Sequence, residues 1–207
     1  MICTVPSREE AVQLLSWGSD QNPGPWTEHC KVAARVAAAI AKECGLDEDR
    51  AYVSGLLHDI GYYSYRNGKG QTCHIYMGYE LMMEKGYESI ARICLSHSFP
   101  IKDIRAYGGS DLNLTADQVS MVTSFLADVE YDDYDKLTQL CDTIGSAQGV
   151  VIAEKRMLDV IMRNGFKDLT IEKCRSYLAL KDYFDNRCGR NIYSLFHDEM
   201  TADIFGC

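Results

Sequence analysis

The sequence predicts an all-α fold, and two observations support this class. Apolar residues recur at helical spacing through most of the 207-residue chain, and we find no convincing run of strict alternation that would indicate a strand. The four prolines, at positions 6, 23, 25 and 100, all lie outside the long periodic segments. Because proline disrupts a helix interior, this placement favours helices in those segments. We therefore predict about eight to ten helices.

Capping signals set the predicted helix boundaries. Ser7-x-x-Glu10 and Thr115-x-x-Gln118 have the spacing of capping boxes, and Asp47 is a typical N-cap residue. Glycine or proline follows several periodic segments where a helix would stop. The predicted helices extend from Ser7 to about Trp17, from about Trp26 to Cys44, over residues 47–59, 74–86 and 87–98, from Thr115 onward, and over about 133–147, 152–164, 170–187 and 192–204. Residues 63–72 and 101–114 are predicted as loops, the second with room for one short turn.

The composition predicts a cytoplasmic protein with an excess of acid. A formal net charge of −9 argues against a nucleic acid as the partner, because phosphate backbones bind clustered basic residues. No apolar stretch reaches the roughly 20 residues of a membrane span, and the N-terminal sequence turns charged too early for a signal peptide. The nine cysteines include no C-x-x-C pair, and we expect them to be reduced.

Four of the five histidines lie at or near predicted helix ends that border loops. These are His29, His58, His74 and His97, and in a helical bundle the ends of neighbouring helices can meet at one point. Any one of them alone could be a solvated residue at a helix end, and His97 alone could be a core histidine. Four such placements within about 70 residues instead favour a shared site. His197, in a charged stretch, is interpreted as a surface residue.

The aspartates complete a candidate set of metal ligands. Asp59 directly follows His58, and Asp142 lies mid-helix among apolar and small residues, on the same predicted face as Asp135, Thr138 and Gly145. A buried aspartate needs a partner, and a metal cation would be one; the alternative is a surface aspartate on an amphipathic helix. Imidazole and carboxylate together suit manganese, iron or zinc.

The order His29 … His58–Asp59 … Asp142 resembles the HD-domain superfamily of metal-dependent phosphohydrolases. "HDIG" at 58–61 matches a common form of its central motif, and "GLLHDIG" and "KLTQLCDTIG" resemble the flanks of the second and last motifs. The resemblance implies an all-α HD-domain helical bundle with a metal held by His29, His58, Asp59 and Asp142. It covers roughly residues 25–148, so we predict a single HD domain over residues 1–207 with a C-terminal helical extension at about 150–207.

The two remaining histidines resemble the additional motifs of HD proteins with a binuclear centre. "HIYMG" contains His74, and "LSHS" contains His97. By this resemblance the two histidines would bind a second metal, and Asp59 would bridge both. The expected cofactor is therefore a pair of divalent metals: iron, manganese, zinc, cobalt or nickel, with magnesium also considered.

Two departures from the family pattern narrow the expected chemistry. The branches that cleave cyclic dinucleotides carry a second histidine after the position of His97 and a Gly-Tyr-Pro signature, and both are missing here. Many HD hydrolases also place a lysine three residues after the aspartate of the His-Asp pair, where this chain has Tyr62. The resemblance therefore does not imply a phosphate contact from this position. The nearest functional analogy is the branch with a single histidine in each additional motif, which includes symmetrical dinucleoside tetraphosphate hydrolases.

Basic residues near the motifs are candidates for phosphate binding. Lys69 lies in the loop before His74, and Lys102 and Arg105 follow His97; each could instead be a solvated surface charge. A further basic group, Lys155, Arg156 and Arg163, is expected to pair with the excess acid of the protein.

These observations predict a metal-dependent phosphohydrolase that cleaves a small phosphate ester or anhydride, with a nucleotide as the expected substrate. Asp59 and His58, together with metal-activated water, are the predicted catalytic groups. One alternative is a di-iron HD-like oxygenase that cleaves a carbon bond. The other is a catalytically silent module that senses nucleotides. No nucleic-acid or membrane partner is expected, and a homodimer is considered.

Overall fold

The structure, a computed structural model, describes residues 5–65, 72–109 and 112–205, and it confirms the all-α class. The described residues form α1 (Arg8–Gln21), α2 (Trp26–Cys44), α3 (Glu48–Leu57), α4 (His74–Glu84), α5 (Glu88–Ser96), α6 (Ala116–Asp128), α7 (Asp133–Ile144), α8 (Ala153–Asn164), α9 (Thr170–Cys188) and α10 (His197–Phe205). Short 3-10 helices cover Ile60–Ser64, Ile104–Ala106 and Ile192–Phe196. None of the helices in the described ranges is long and apolar enough to cross a membrane.

The predicted caps are present at the helix starts. The Ser7 and Thr115 side chains each accept a hydrogen bond from the backbone three residues later, in complete capping boxes, and Asp47 accepts from two amides of α3. The predicted end of α1 near Trp17 was wrong by one turn. The helix continues past Trp17 and ends at Gln21. Gly18, in this additional turn, is buried where a Cβ would lie 3.2 Å from the ring of Trp26.

The end of α7 also differs from the prediction. A helix was expected to about residue 147, but α7 ends at Ile144 and an antiparallel hairpin follows, with β1 (Gly145–Ser146) paired to β2 (Gly149–Val150). Two-residue strands contain too few positions to show alternation in the sequence. Gly149 has a φ of 138°, which side-chain-bearing residues rarely adopt, and this lets the chain reverse direction here.

Small residues allow α2 and α3 to pack closely. A Cβ on Gly55 would lie 2.8 Å from the Ala33 carbonyl oxygen and 2.8 Å from the Ala34 Cα, so only glycine fits at this crossing. Helix α7 packs against the same pair, with Leu140 and Ile144 fully buried in the shared core. The close contact places the C-terminal end of α3 beside the N-terminal part of α2.

The C-terminal helices share a hydrophobic core with α2 and α7. Phe184 of α9 is fully buried in the same cluster as Ile40 and Leu140. Cys44 and Cys188 form a disulfide between the ends of α2 and α9. The expectation that all cysteines are reduced was therefore wrong for this pair, because the fold brings together two cysteines that are 144 residues apart; five other described cysteines are free.

A buried ion pair joins α5 to α7. The Asp135 carboxylate is fully buried and accepts hydrogen bonds from the Arg92 guanidinium and from Ser96 Oγ at 2.8 Å. The Gln139 side chain donates to the Ser96 carbonyl oxygen at 3.1 Å. The two aspartates that share a face of α7 therefore differ in their contacts: Asp135 fixes the end of α5, whereas Asp142 is left for the site described below.

Gly61 allows α4 to approach the residue pair that follows α3. A Cβ at position 61 would lie 2.5 Å from the Gly78 amide nitrogen and still closer to the His74 carbonyl oxygen, and both are backbone atoms. Neither can move aside as a flexible side chain could. The fourth residue of "HDIG" thus sets the distance between α4 and the 3-10 helix that begins at Ile60.

We expect Gly61→Ala to lower the free energy of unfolding by about 3 kcal/mol, since an added methyl group overlaps backbone atoms of α4. The measurement is urea unfolding followed by circular dichroism. The matched control is Gly18→Ala, where the nearest atom is the mobile end of the Ile60 side chain at 2.9 Å. Alanine also gains helix propensity there. A Gly61→Ala protein as stable as this control would contradict the proposed close contact.

Candidate metal centre

Six side chains, four histidines and two aspartates, come together where several helix ends meet. His29 lies in the first turn of α2, His58 and Asp59 directly follow α3, His74 is the first residue of α4, His97 directly follows α5, and Asp142 lies in the last turn of α7. The predicted third helix included the His-Asp pair, but α3 ends two residues earlier, at Leu57. Five of the six residues are buried, and the Asp142 side chain is 23% exposed.

Asp59 lies between two pairs of histidines. Its Oδ1 is 3.1 Å from His74 Nε2 and 3.3 Å from His97 Nε2. Its Oδ2 is 3.8 Å from His29 Nε2 and 3.6 Å from His58 Nε2. Each carboxylate oxygen thus faces one pair, which is the arrangement that a bridging carboxylate requires.

Within each pair, the Nε2 atoms of the two histidines face each other. His29 Nε2 is 3.1 Å from His58 Nε2, and His74 Nε2 is 3.4 Å from His97 Nε2. Asp142 joins the first pair, with its Oδ1 3.0 Å from His29 Nε2 and 3.6 Å from His58 Nε2. Three groups of potential ligand atoms lie within 4.8 Å of one another, and one of them combines residues of both pairs: His29, His58 and Asp59; His58, His97 and Asp142; Asp59, His74 and His97.

The opposite ring nitrogens are held by backbone carbonyls. The Nδ1 atoms of His29, His58 and His97 lie 2.9, 2.8 and 3.2 Å from the carbonyl oxygens of Gly145, Gly55 and Ile93, respectively. A carbonyl only accepts hydrogen bonds, so each Nδ1 carries the proton and donates it. This tautomer leaves the Nε2 lone pair directed into the cluster, as a metal ligand requires.

The location of these carbonyls explains why histidines follow helix ends here. Gly55 and Ile93 lie in the last turns of α3 and α5, and a carbonyl oxygen has two lone pairs, so it can accept a hydrogen bond from a histidine ring that follows the helix end. The rings of His58 and His97 fold back onto those turns. His74 is held differently: its Nδ1 lies 3.3 Å from the Tyr107 hydroxyl, and the Tyr62 ring stacks on it at a centroid distance of 4.2 Å.

Charge in the cluster favours a bound cation. Burial alone would raise the pKa of Asp59 and Asp142, but the neighbouring histidines hold both values well below the usual range. Burial opposes protonation of His58 and His74, yet the facing carboxylates raise their pKa to about 9 and about 10. In His97 burial dominates, and the pKa is lowered. The two carboxylates thus favour positive charge on the facing histidines, and a bound metal would replace the Nε2 protons that supply this charge.

The donor set fits divalent transition metals. Four imidazole nitrogens and two carboxylates suit manganese, iron, zinc, cobalt or nickel, whereas magnesium prefers oxygen ligands and retained water. The histidines are positioned by the hydrogen bonds of their second nitrogens, a feature that is typical of metal sites in proteins.

The cluster lies at one side of a cavity of about 510 Å³. His29, Asp59, His74, His97 and Asp142 line it, whereas His58 does not. The remaining lining comes from Pro25, Trp26, Tyr62 and Ser98, from the segment 105–109, from Thr143, Ala147 and Gln148 near the hairpin, and from α8, α9 and the segment between them. The size is that of a small-molecule site.

The predicted phosphate-binding residues are placed differently from one another. Arg105 lines the cavity, but its guanidinium is paired with Asp103 at 2.6 Å. Lys102 is not among the lining residues, and its Nζ lies 5.4 Å from the centre of the Tyr131 ring. Lys69 lies outside the described residues.

Sequence reasoning did not identify the basic residues that do line the cavity. Arg156 and Arg163 were expected to pair with the excess acid of the protein, and Lys167 and Lys173 were not considered, yet all four line the cavity. One signal was available: Arg156 and Arg163 are seven residues apart on a helix, on one face with apolar Val160. His197, in contrast, is exposed and faces Asp198 at 3.1 Å, as the sequence analysis expected.

Comparison with known proteins identifies one family. The family model described as HD domain matches residues 26–144, from the first residue of α2 to the last residue of α7. No curated protein and no solved structure matches the chain significantly. The match covers more than half of the sequence and includes all six clustered residues, so the chain belongs to the HD domain family.

Proposed function

We propose that this protein is a metal-dependent phosphohydrolase that cleaves a phosphate ester or anhydride of a small molecule, with a nucleotide as the expected substrate. Members of the HD domain family are in general metal-dependent hydrolases. The observation that carries the proposal is the placement of Asp59 between two histidine pairs beside a cavity of about 510 Å³. The chain has a net charge of −9, so a phosphorylated substrate requires local positive charge, which metals would supply.

We assign two metal positions to the cluster. His29, His58, Asp59 and Asp142 hold the first, and Asp59, His74 and His97 hold the second. The two groups share Asp59, whose oxygens point to opposite sides. Bound metals would supply Lewis acidity, which lowers the pKa of a bound water to about 7 and neutralises charge that develops on phosphoryl oxygens.

The residues of the chain orient and enclose the reacting groups. His58 is fully buried and does not line the cavity, so we assign it to metal binding and not to substrate contact. Asp59 lines the cavity and holds both positions. The Tyr62 ring, stacked on His74, restricts that imidazole to one orientation and keeps water from its face.

Loss of Asp142 should weaken the first metal position. In Asp142→Ala we expect metal affinity to fall at least about tenfold, because this carboxylate faces both His29 and His58, and hydrolysis to be lost with the metal. Elemental analysis and phosphate release are the measurements. Asp20→Ala, an exposed aspartate of α1, is the control and should retain both. Full metal occupancy in Asp142→Ala would rule out this ligand assignment.

Removal of the His97 side chain should abolish the second metal position and leave the first intact. We expect the wild-type protein to bind two metals per chain and His97→Ala to bind one, since the first group retains all four ligands. Native mass spectrometry counts the metals directly. His197→Ala, an exposed histidine, is the matched control and should still bind two. A saturated wild-type protein with a single metal would contradict the binuclear assignment.

The reaction type can be tested without oxygen. Hydrolysis needs no redox cycling, so we expect phosphate release from at least one member of a panel of nucleoside mono-, di- and dinucleoside polyphosphates, assayed anaerobically with manganese or cobalt. No release, together with oxygen uptake in the presence of a polyol or phosphonate, would instead support the oxygenase. No turnover in either assay, with tight nucleotide binding, would support the sensor.

A further inference from the structure

The wall of the cavity formed by α8 and α9 carries basic residues that are not ligand candidates. Arg156, Arg163, Lys167 and Lys173 all line the cavity. Two of them are largely committed to protein contacts or to solvent. The Lys167 Nζ donates to the carbonyl oxygens of Tyr107, Gly108 and Gly109, and the exposed Arg163 donates from Nε to the Asp159 carbonyl oxygen at 3.3 Å. Arg156 and Lys173 are the other two.

Lys173 is a half-buried cation without an anionic partner among the described residues. Its Nζ donates to the carbonyl oxygens of Ser98 at 2.9 Å and Ala106 at 3.0 Å. An ammonium has three N–H donors, so one remains unassigned in the described residues. Burial lowers the pKa of Lys173 to about 8, although the nearby Asp142 carboxylate acts in the opposite direction. Two neutral carbonyls fix the position of this charge but do not neutralise it.

Arg156 is half-buried, and within the described ranges its guanidinium makes no hydrogen bond or ion pair. Its five N–H donors form a planar fork that suits a phosphate group. Tyr177 lines the same part of the cavity wall. Burial raises the pKa of the Tyr177 hydroxyl, and both the Asp142 carboxylate and the Arg156 guanidinium act on this group. The Lys173 Nζ lies 5.7 Å from the centre of the Tyr177 ring, and Arg156, Lys173 and Tyr177 all line the cavity.

We propose that Arg156 and Lys173 form a second anion subsite, so that the substrate carries a phosphate in addition to the one that reacts. This inference rests on the proposed function, since the metals would take the reacting phosphate and the two side chains its neighbour. The substrate class is then a phosphoanhydride, such as a nucleoside di- or triphosphate, and not a nucleoside monophosphate. Arg156 and Lys173 are specificity-determining residues that contact the substrate.

The kinetic test compares substrates with and without the second phosphate. For Arg156→Met we expect the KM for a nucleoside triphosphate to rise by about tenfold or more, the effect of one lost charge-assisted hydrogen bond. The kcat/KM for a simple phosphate monoester, such as p-nitrophenyl phosphate, should change less than about twofold. Equal losses with both substrates, or no loss with either, would overturn the subsite.

Control variants distinguish the loss of a positive charge from the loss of folded structure. Arg175→Met removes an exposed cation from α9 that makes no hydrogen bond or ion pair in the described part of the chain, and should leave both substrates unaffected. Arg156→Lys retains the charge and should recover part of the lost affinity. Lys173→Met is expected to act in the same direction as Arg156→Met. Because Lys173 also holds the Ser98 and Ala106 carbonyls, its result is read only if the thermal midpoint is retained.

A binding measurement tests the anion subsite independently of whether the protein is a hydrolase. Calorimetry with the metal-loaded protein and a methylene-bridged, non-hydrolysable nucleoside triphosphate needs no turnover. We expect Arg156→Met to bind this analogue at least about tenfold more weakly than the wild type, and to bind inorganic phosphate equally well. Weaker analogue binding in a protein without hydrolytic activity would support the subsite and reject the hydrolase. Equal affinities, or no binding by either protein, would overturn the subsite.

Discussion

The buried carboxylate of Asp59 is the constraint on which the rest of the site depends. A carboxylate at this depth is costly unless cations or strong donors surround it, and here four imidazoles do so. Those imidazoles must direct their Nε2 atoms inward, so each Nδ1 needs a partner behind it. The last-turn carbonyls of α3 and α5 meet this need for His58 and His97. The helix ends are thus part of the site and not only its scaffold.

Much of the fold and of the candidate site was predictable because the signals are local. Ser7, Asp47 and Thr115 form caps with groups two or three residues away, so their patterns can be seen in the sequence. The His58–Asp59 pair also stands out, because two side chains able to bind a metal directly follow an apolar segment. The structure brings the six candidate ligands together, and their role as ligands stays a prediction.

The features that sequence reasoning missed depend on contacts between distant parts of the chain. The partners of Lys173 are the carbonyls of Ser98 and Ala106, more than sixty residues away, and nothing in the local sequence indicates them. The Cys44–Cys188 disulfide spans 144 residues. The hairpin after α7 is too short to show a period, yet its Gly145 carbonyl anchors His29. Spacing along the chain cannot report these long-range relationships.

Helix α9 has two roles that fall on different parts of its length. Near its start, Lys173 faces the cavity, and near its end, Phe184 lies in the core beside Leu140. The side of the cavity that carries the candidate ligands is formed by residues 29–142, and its basic wall by residues 156–173. Arg156 can change without disturbing the cluster, because its guanidinium makes no hydrogen bond or ion pair among the described residues, whereas Lys173 also holds the Ser98 and Ala106 carbonyls. Under the proposed function, substitutions at Arg156 would alter substrate choice and leave the catalytic chemistry unchanged, which makes α8 the natural segment to redesign.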